Sequence, residues 1–267
     1  MIAGFPFIAS SFDPDARSFI ATSGATDRAE INHFVKGVRG LGLWDSMICW
    51  PLRSTQNAGT GVTAYSLGGL ATSNGTLVNT PTWTADGVEF TDESDDHIAT
   101  GYTPAKEDHL FFAVMEANPQ GTENNAIAST RTTPSATGGY SYAQNWTGTW
   151  RSILWAGSGS FLENIGSTAI TDGSFHSAAF RTRLTSIPLR TDISIDADTY
   201  DQDSAVITPT DPAELLLGNE TTTNSRALGG ALSFAGYFQR AYSGTDTINV
   251  SLHKLLRETL CQGLSLP

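Results

Sequence analysis

Acidic side chains are concentrated in the stretch from Glu89 to Asp96, which also carries Asp92, Glu93 and Asp95. Calcium takes six to eight oxygen ligands in proteins, so several carboxylates in one loop form a candidate calcium site. We therefore name Asp92, Glu93, Asp95 and Asp96 as candidate calcium ligands. The alternative is a solvated acidic turn, and the sequence leaves both interpretations open.

A second acidic run, Asp196-x-Asp198-x-x-Asp201-x-Asp203, is also rich in carboxylate oxygens. It lacks the glycine and the distal glutamate of an EF-hand loop, which excludes that motif. Calcium and a solvated turn are again both open here. Calcium is the one cofactor that the sequence suggests.

Aromatic side chains gather between residues 140 and 155, where they could bind a saccharide. Sugars present apolar C–H faces to flat rings, and neighbouring amides bond their hydroxyl groups. Tyr140, Tyr142 and Trp146 share one parity, which would place them on one face of a strand. The competing interpretation is core packing, because a sandwich must bury one face of each sheet. The glycan-binding candidates are Tyr140, Tyr142, Gln144, Asn145, Trp146 and Trp150, and the stretch continues to Trp155.

The sequence contains no motif typical of a histidine-based, serine-nucleophile or phosphate-binding catalytic site. The five histidines are far apart, at positions 33, 97, 109, 176 and 253. There is no Gly-x-Ser-x-Gly turn between a strand and a helix, which serine hydrolases use for their nucleophile. With only three lysines, the chain also has no phosphate-binding glycine loop that carries a lysine. We predict no catalytic residues.

Charge and hydropathy exclude further classes of function. The chain has 15 Lys and Arg against 27 Asp and Glu, a net charge of −12. Nucleic-acid binding needs clustered cations, so we expect no nucleic-acid partner. Apolar runs such as Leu110–Met115 are far shorter than the roughly 20 residues of a membrane-spanning helix. We expect no membrane insertion, no signal peptide and assembly in a cytoplasm.

The elements that must position these residues are of two kinds. Residues 1–47 show helical spacing, with Asp27 and Glu30 in a capping-box pattern before Ile31 and Phe34. From residue 48 onward, short strands alternate with turns, and the chain contains 34 threonines, which favour strands. A second amphipathic helix is expected from about residue 246 to 260. The fold class is therefore mainly β: an antiparallel β-sandwich of jelly-roll type over 48–267, preceded by a short N-terminal helical segment.

The two cysteines, Cys49 and Cys261, lie far apart in the sequence. A disulfide and two buried free thiols are both open, and we favour the free thiols.

The order of strands resembles the concanavalin A-like lectin/glucanase sandwich in its laminin-G-like form. The segments that carry the resemblance are Gly87–Thr91, His97–Pro104, Leu110–Glu116, Ala213–Gly218 and Leu232–Tyr242. Glucanases of this family have an E-x-D-x-x-E run on one strand, and no such run occurs here. The N-terminal segment, with Phe19–Gly24, Thr26–Val38 and Gly42–Trp44, is similar to the helical lead-in of bacteriophage and prophage virion proteins that carry this sandwich.

The resemblance implies a non-enzymatic structural or adhesive protein of a phage-like particle, of the decoration or fibre type. Phe19, Phe34 and Trp44 would then dock the lead-in on other virion proteins or on copies of the same chain, as a homo-oligomer. The sandwich would face solvent and surface polysaccharide. Two alternatives stay open: a free carbohydrate-binding module or lectin, and a glycan-cleaving enzyme.

Overall fold

The computed structural model of this chain describes residues 12–91, 94–117, 125–131, 139–144, 147–155, 161–185, 188–222, 226–240 and 247–267. Helices α1, α2 and α3 span Pro14–Ser23, Arg28–Gly40 and Ile248–Glu258, and a 3₁₀ turn covers Trp44–Ser46. The strands of the first half are β1 Met47–Pro51, β2 Thr63–Ala64, β3 Gly75–Val78, β4 Thr82–Trp83, β5 Val88–Phe90, β6 His97–Ala99, β7 His109–Glu116 and β8 Asn125–Ser129. Those of the second half are β9 Tyr140–Gln144, β10 Thr149–Trp155, β11 Phe161–Ala169, β12 Phe175–Arg183, β13 Leu189–Ile195, β14 Asp201–Ala205, β15 Leu216–Leu217 and β16 Gly230–Gln239.

The strands form two antiparallel sheets. Sheet A has the order β14-β13-β12-β7-β16-β5-β4, and β1 also pairs with β16. Sheet B has the order β11-β10-β9-β8-β15-β6-β3-β2. The predicted mainly β fold, an antiparallel sandwich with helices near both ends of the sequence, is confirmed.

The main core lies between the two sheets. Strand β7 contributes Phe111, Ala113 and Met115 to this core, and sheet B contributes Tyr142 and Trp150. The alternate residues of β7 face the other side of sheet A, where Leu110 is also fully buried. Strand β7 is therefore covered on both faces, as its continuous apolar run predicts.

A helical layer, made of α1, α2 and α3, covers the outer face of sheet A. Phe34 of α2 meets Phe234 of β16 edge to face, with ring centroids 5.6 Å apart. Phe19 and Trp44 belong to the same apolar cluster. The prediction that Phe19, Phe34 and Trp44 form an exposed docking surface is corrected, because these side chains are already buried against the chain's own sheet. The boundary at residue 47 stays a prediction that a deletion can test.

Local details of this layer differ from the sequence pattern. Helix α2 begins after Asp27, but the Asp27 side chain makes no capping bond to the helix. Its carboxylate instead accepts hydrogen bonds from Thr55 Oγ1 at 2.7 Å and from Gln56 Nε2 at 3.3 Å. The sequence indicates the correct start of the helix, while the predicted capping box is wrong, because tertiary partners take its acceptor.

Cys49 and Cys261 are free and buried, as favoured from the sequence. Burial raises the pKa of both thiols, that of Cys261 to about 12. Both are therefore inert neutral side chains of the helical layer's core. Within the described residues, no helix combines the length and apolar character that a membrane crossing requires.

Candidate functional site

The register of strands β9, β10 and β11 decides which side chains of sheet B face outward. Tyr142 lies opposite Ser152, and both point to the core between the sheets. The alternate positions point the other way, so Ile153 lies between its outward-facing neighbours Ser141 and Glu163. One step further along the strands, Trp155 of β10 pairs with Phe161 of β11.

The predicted glycan platform lies on the inner face and is corrected. Tyr140, Tyr142 and Trp150 are fully buried in the core between the sheets, with at most 1% of each residue exposed. Tyr140 and Tyr142 do share one face, as predicted, but that face is the packed one. Gln144 is buried as well, and its amide donates to the carbonyl oxygens of Gly148 at 3.2 Å and Ile170 at 2.8 Å. The other two candidates, Asn145 and Trp146, lie outside the described residues.

The outer face of the same strands contains a pocket of about 290 Å³, which we call the Trp155 pocket. Small side chains from two adjacent strands, β8 and β9, are among its lining residues, namely Ala126, Ser141 and Ala143. Charged and aromatic side chains stand around them. Because small residues on neighbouring strands leave space above the sheet, this arrangement produces a hollow where larger residues would fill it.

An ion-pair network forms one wall of the Trp155 pocket. Glu220 offers one carboxylate oxygen to Arg131 and the other to Arg226, the second at 2.7 Å. Arg131 and Glu220 are each only 5% exposed, whereas Arg226 is 36% exposed. A second ion pair joins Arg151 of β10 to Glu163 of β11. The network places fixed hydrogen-bonding groups beside the hollow, and buried ion pairs hold their geometry closely.

Two aromatic rings form another wall. Trp155 and Phe161 pack with their ring centroids 5.2 Å apart, and Phe161 is 50% exposed. The Arg131 guanidinium lies over the Trp155 ring, 4.2 Å from its centre. The indole N–H of Trp155 is buried and has no acceptor among the described residues. The pocket thus offers apolar ring surface beside ion-paired side chains.

Sequence reasoning missed most of this site. Trp155 belongs to the aromatic stretch noted above, but its parity is opposite to that of Tyr140 and Tyr142. A signal was present, because Arg151 and Glu163 alternate with the inward apolar positions and so mark the outward face. Arg131 and Glu220 are 89 residues apart, and no local pattern predicts that pairing.

The structure describes part of the first acidic stretch, Glu89 to Asp96. Asp96 is buried, and its carboxylate accepts backbone hydrogen bonds from Thr80 at 3.0 Å and Thr91 at 3.1 Å, so it ties the turn together. Asp95 is exposed, while Asp92 and Glu93 lie outside the described residues. Among the described part of the chain, no group of three or more His, Cys, Asp or Glu side chains could hold a metal. Calcium at Asp92, Glu93, Asp95 and Asp96 stays a prediction.

The second acidic run borders a hollow of about 540 Å³ near the turn between β13 and β14. Its carboxylates serve local structure: Asp201 accepts from the backbone N–H and the hydroxyl of Ser167 at 2.7 and 3.0 Å. Asp196 accepts from His176 at 2.5 Å and from the backbone of Ser177 at 2.9 Å. These contacts give both carboxylates a structural role in the turns that they join.

A buried histidine lies behind the candidate site, in the core between the sheets. His109 Nδ1 lies 2.9 Å from the carbonyl oxygen of Glu107, which can only accept, so Nδ1 carries the proton. His109 Nε2 therefore accepts from the Tyr142 hydroxyl at 2.6 Å. Burial lowers the pKa of His109 to about 4, so the ring is neutral at pH 7. The ring of His109 therefore provides the hydrogen-bond acceptor for the buried hydroxyl of Tyr142.

No protein-family model matches the chain, and no curated protein matches it in sequence. Solved structures with similar folds do exist. The Trypanosoma rangeli sialidase aligns with a TM-score of 0.54 at 7% identity, over 88% of this chain and 40% of that one. The binding domain of botulinum neurotoxin serotype D aligns with a TM-score of 0.51 at 10% identity, over 81% of this chain and 52% of that one.

A third similar structure is the carbohydrate-binding module CBM40 of the Ruminococcus gnavus IT-sialidase, bound to α2,3-sialyllactose. Its TM-score is 0.46 at 12% identity, over 62% of this chain and 96% of that one. At these identities a likeness shows the fold alone. The virion resemblance of the lead-in gains no support from these three structures. What the comparisons show is a likeness of fold: the two-sheet sandwich of this chain aligns with part of a sialidase and part of a neurotoxin binding domain.

Proposed function

We propose that this chain is a carbohydrate-binding β-sandwich that holds a saccharide in the Trp155 pocket. The observation that carries the proposal is the outward pair of rings, Trp155 and Phe161, beside a hollow lined by ion-paired side chains. A ring surface takes the C–H face of a sugar, while guanidinium and carboxylate groups bond its hydroxyls. This is the chemistry predicted from the sequence, moved from the inner face of the strands to the outer one.

Binding without cleavage fits the carboxylates of the pocket. A general acid must present a proton-bearing oxygen to the glycosidic bond. Glu220 instead directs one oxygen to each of two arginines, and Glu163 is paired with Arg151. We therefore place this chain in the lectin or binding-module class. The virion role predicted from the lead-in resemblance stays a hypothesis about where such a module would be carried.

A glycan-array screen of the purified chain, followed by calorimetric titration of any hit, tests the proposal. Sialyllactose is included, because it is named with one of the structural neighbours. We expect at least one saccharide family to bind and to compete for a single site. Light scattering on the same sample gives the oligomeric state. A stable homo-oligomer that binds no saccharide would contradict the proposal and favour the structural particle role.

A further inference from the structure

A second hollow lies beside the opposite edge of sheet B from the Trp155 pocket, between helix α1 and the loop that joins β2 to β3. Its volume is about 160 Å³, and we call it the Tyr65 hollow. It has no counterpart among the glycan-binding candidates predicted from the sequence. The side chains that define it are Ser18, Thr22, Trp44, Tyr65, Thr72 and Asn74.

Aromatic rings line the inner part of the Tyr65 hollow. Phe19 and Trp44 are each 6% exposed, whereas Tyr65 is partly exposed. The Arg39 guanidinium lies 4.5 Å from the centre of the Trp44 ring and is ion-paired with Asp13 at 3.0 Å. This contact holds the Trp44 ring against a fixed charge. Tyr65 is therefore the ring that a ligand can reach from solvent.

Neutral hydrogen-bonding groups form the rim of the hollow. Thr22, Thr72 and Asn74 are exposed there. The amide oxygen of Asn74 accepts from the backbone of Ser66 at 3.0 Å, and its amide nitrogen has no acceptor among the described residues. The one charged side chain among the described lining residues, Asp15, is ion-paired. Hydroxyl and amide groups beside rings are suited to a neutral molecule with many hydroxyl groups.

The loop that carries Tyr65 is fixed before any ligand binds. The buried Asn57 amide donates to the carbonyl oxygen of Tyr65 at 2.9 Å and accepts from its backbone N–H at 2.9 Å. Gly68 has a φ of +141°, and a Cβ atom there would clash with the carbonyl oxygen of Met47. Only glycine allows the loop to approach β1 so closely. The hollow is therefore preformed, which limits the entropy lost on binding.

The two hollows are too far apart to share one sugar residue. Trp155 lies on β10, and Tyr65 directly follows β2, six strand spacings away in sheet B. At the usual spacing this is roughly 29 Å along the sheet. Two sites on one chain could hold two glycan ends at once, which increases the avidity for a surface with many such ends.

We propose that the Tyr65 hollow is a second saccharide site, which takes one uncharged sugar residue from the end or a branch of a glycan. The sugar ring lies against Tyr65, and its hydroxyl groups bond to Asn74, Thr22 and Thr72. The small volume of the hollow restricts the ligand to a single residue. This inference goes beyond the proposed function and does not depend on the Trp155 pocket.

NMR titration of the ¹⁵N-labelled full chain tests the second site. The chain has six tryptophans, and the variants Trp44→Phe and Trp155→Phe identify the two indole N–H signals of interest. The probes are the methyl glycosides of glucose, galactose, mannose and N-acetylglucosamine, and glycerol is the control for a general polyol effect. We expect at least one glycoside to shift the Trp44 signal saturably, with the same affinity in Trp155→Ala as in the wild type.

The variant Thr22→Phe fills the hollow from an exposed position of α1, where the Thr22 hydroxyl bonds only to Ser18 of the same helix. We expect glycoside affinity at the Trp44 signal to fall on the order of tenfold, with an unchanged circular dichroism spectrum and melting temperature. Ala21→Phe is the matched control, because Ala21 is an exposed neighbour on α1 outside the lining of the hollow. It should keep the wild-type affinity.

The outcomes separate this inference from the proposed function. Saccharide binding that moves only the Trp155 signal would overturn the second site and leave the proposed function intact. Binding that moves only the Trp44 signal would support the second site and contradict the Trp155 pocket. An equal effect of glycerol, or no saturable shift of the Trp44 signal with any glycoside, would overturn the second site. A Trp44 shift that survives Thr22→Phe unchanged would contradict its location.

Discussion

The guanidinium carbon of Arg131 lies 4.2 Å from the centre of the Trp155 ring, and the same guanidinium is ion-paired with Glu220. Cation–π contacts of this kind stabilise a ring against a fixed charge. The Trp155 ring is therefore held in place before any ligand arrives. A preorganised ring loses little conformational entropy when a ligand binds, which favours affinity.

The first prediction concerns this ring. Trp155→Ala removes the stacking surface, and we expect saccharide affinity to fall at least tenfold, equivalent to about 1.4 kcal/mol. Trp155→Phe retains a smaller ring and should lose less. Calorimetric titration with the best array hit measures both. Phe12→Ala, at an exposed aromatic of the opposite layer, is the control. Unchanged affinity in Trp155→Ala would remove the ring from the site.

Glu220 provides the second prediction, about stability. Glu220→Gln removes the negative charge that two guanidiniums share, and breaking a buried pair costs about 3–5 kcal/mol. We expect urea denaturation to show a loss of that order. Asp15→Asn is the matched control, because the Asp15–Arg39 pair is exposed and such pairs contribute at most about 1 kcal/mol. An equal loss of unfolding free energy in both variants would show that burial does not increase the contribution of the Glu220 ion pairs to stability.

From the sequence one can predict which residues lie on the same face of a strand. It is harder to predict which of the two faces is buried. Tyr140 and Tyr142 lie together as the alternation predicts, but both parities of the neighbouring strand β10 carry large apolar residues. Trp150 and Leu154 have one parity, and Ile153 and Trp155 have the other. The alternation of residue types cannot show which face of β10 is buried, since both faces are partly apolar. The buried face is determined by where the opposing sheet packs.

The helical layer illustrates the same physical point. Amphipathic spacing predicts helix α2 correctly, and its apolar face needs a partner. Spacing cannot distinguish a neighbouring molecule from the chain's own sheet. Strand β13 shows this from the sheet side. Ile193 faces the core between the sheets, and Ser194 on the other face is also buried, where Asn249 of α3 donates to its hydroxyl at 2.8 Å.

The third prediction follows from the buried His109, whose pKa is lowered by burial to about 4. Between pH 6.5 and 4 the unfolded chain binds a proton that the folded chain does not, so folding weakens as pH falls through this window. The expected loss is about 3 kcal/mol. Urea denaturation at several pH values measures it. His109→Gln should lose less stability over the same window, and identical slopes for the two proteins would contradict the assignment.

The fourth prediction concerns His176, whose pKa in the folded state is raised, whereas that of His109 is lowered. Burial works to lower the pKa of His176, but the hydrogen bonds and charges of Asp196 and Asp172 outweigh it and raise the pKa. His176 Nδ1 lies 2.5 Å from Asp196, and Nε2 lies 3.1 Å from Asp172. Because the folded state holds this proton more tightly, its stabilisation is complete below the unfolded pKa of about 6.5 and is lost as pH rises through the folded pKa.

His176→Gln tests this prediction. The variant should show a smaller decline of stability from pH 6 to pH 9 than the wild type. Proton NMR titration of the His176 ring should give a midpoint above the ordinary histidine value of about 6.5. A midpoint at or below that value would show that the two carboxylates do not hold the proton.

The last prediction tests whether the helical layer belongs to the folded core. Phe34 is fully buried and packs on Phe234, so Phe34→Ala should lower the free energy of unfolding by about 3–5 kcal/mol. Val250→Ala, at an exposed position of α3, should change it little. Deletion of residues 1–47 would remove α1 and α2 from the apolar outer face of sheet A and leave only α3 to cover it, and large exposed apolar patches promote aggregation. We therefore expect the truncated chain to aggregate in size-exclusion chromatography. A monomeric, cooperatively folded truncation would instead support the separate docking segment that the sequence suggests.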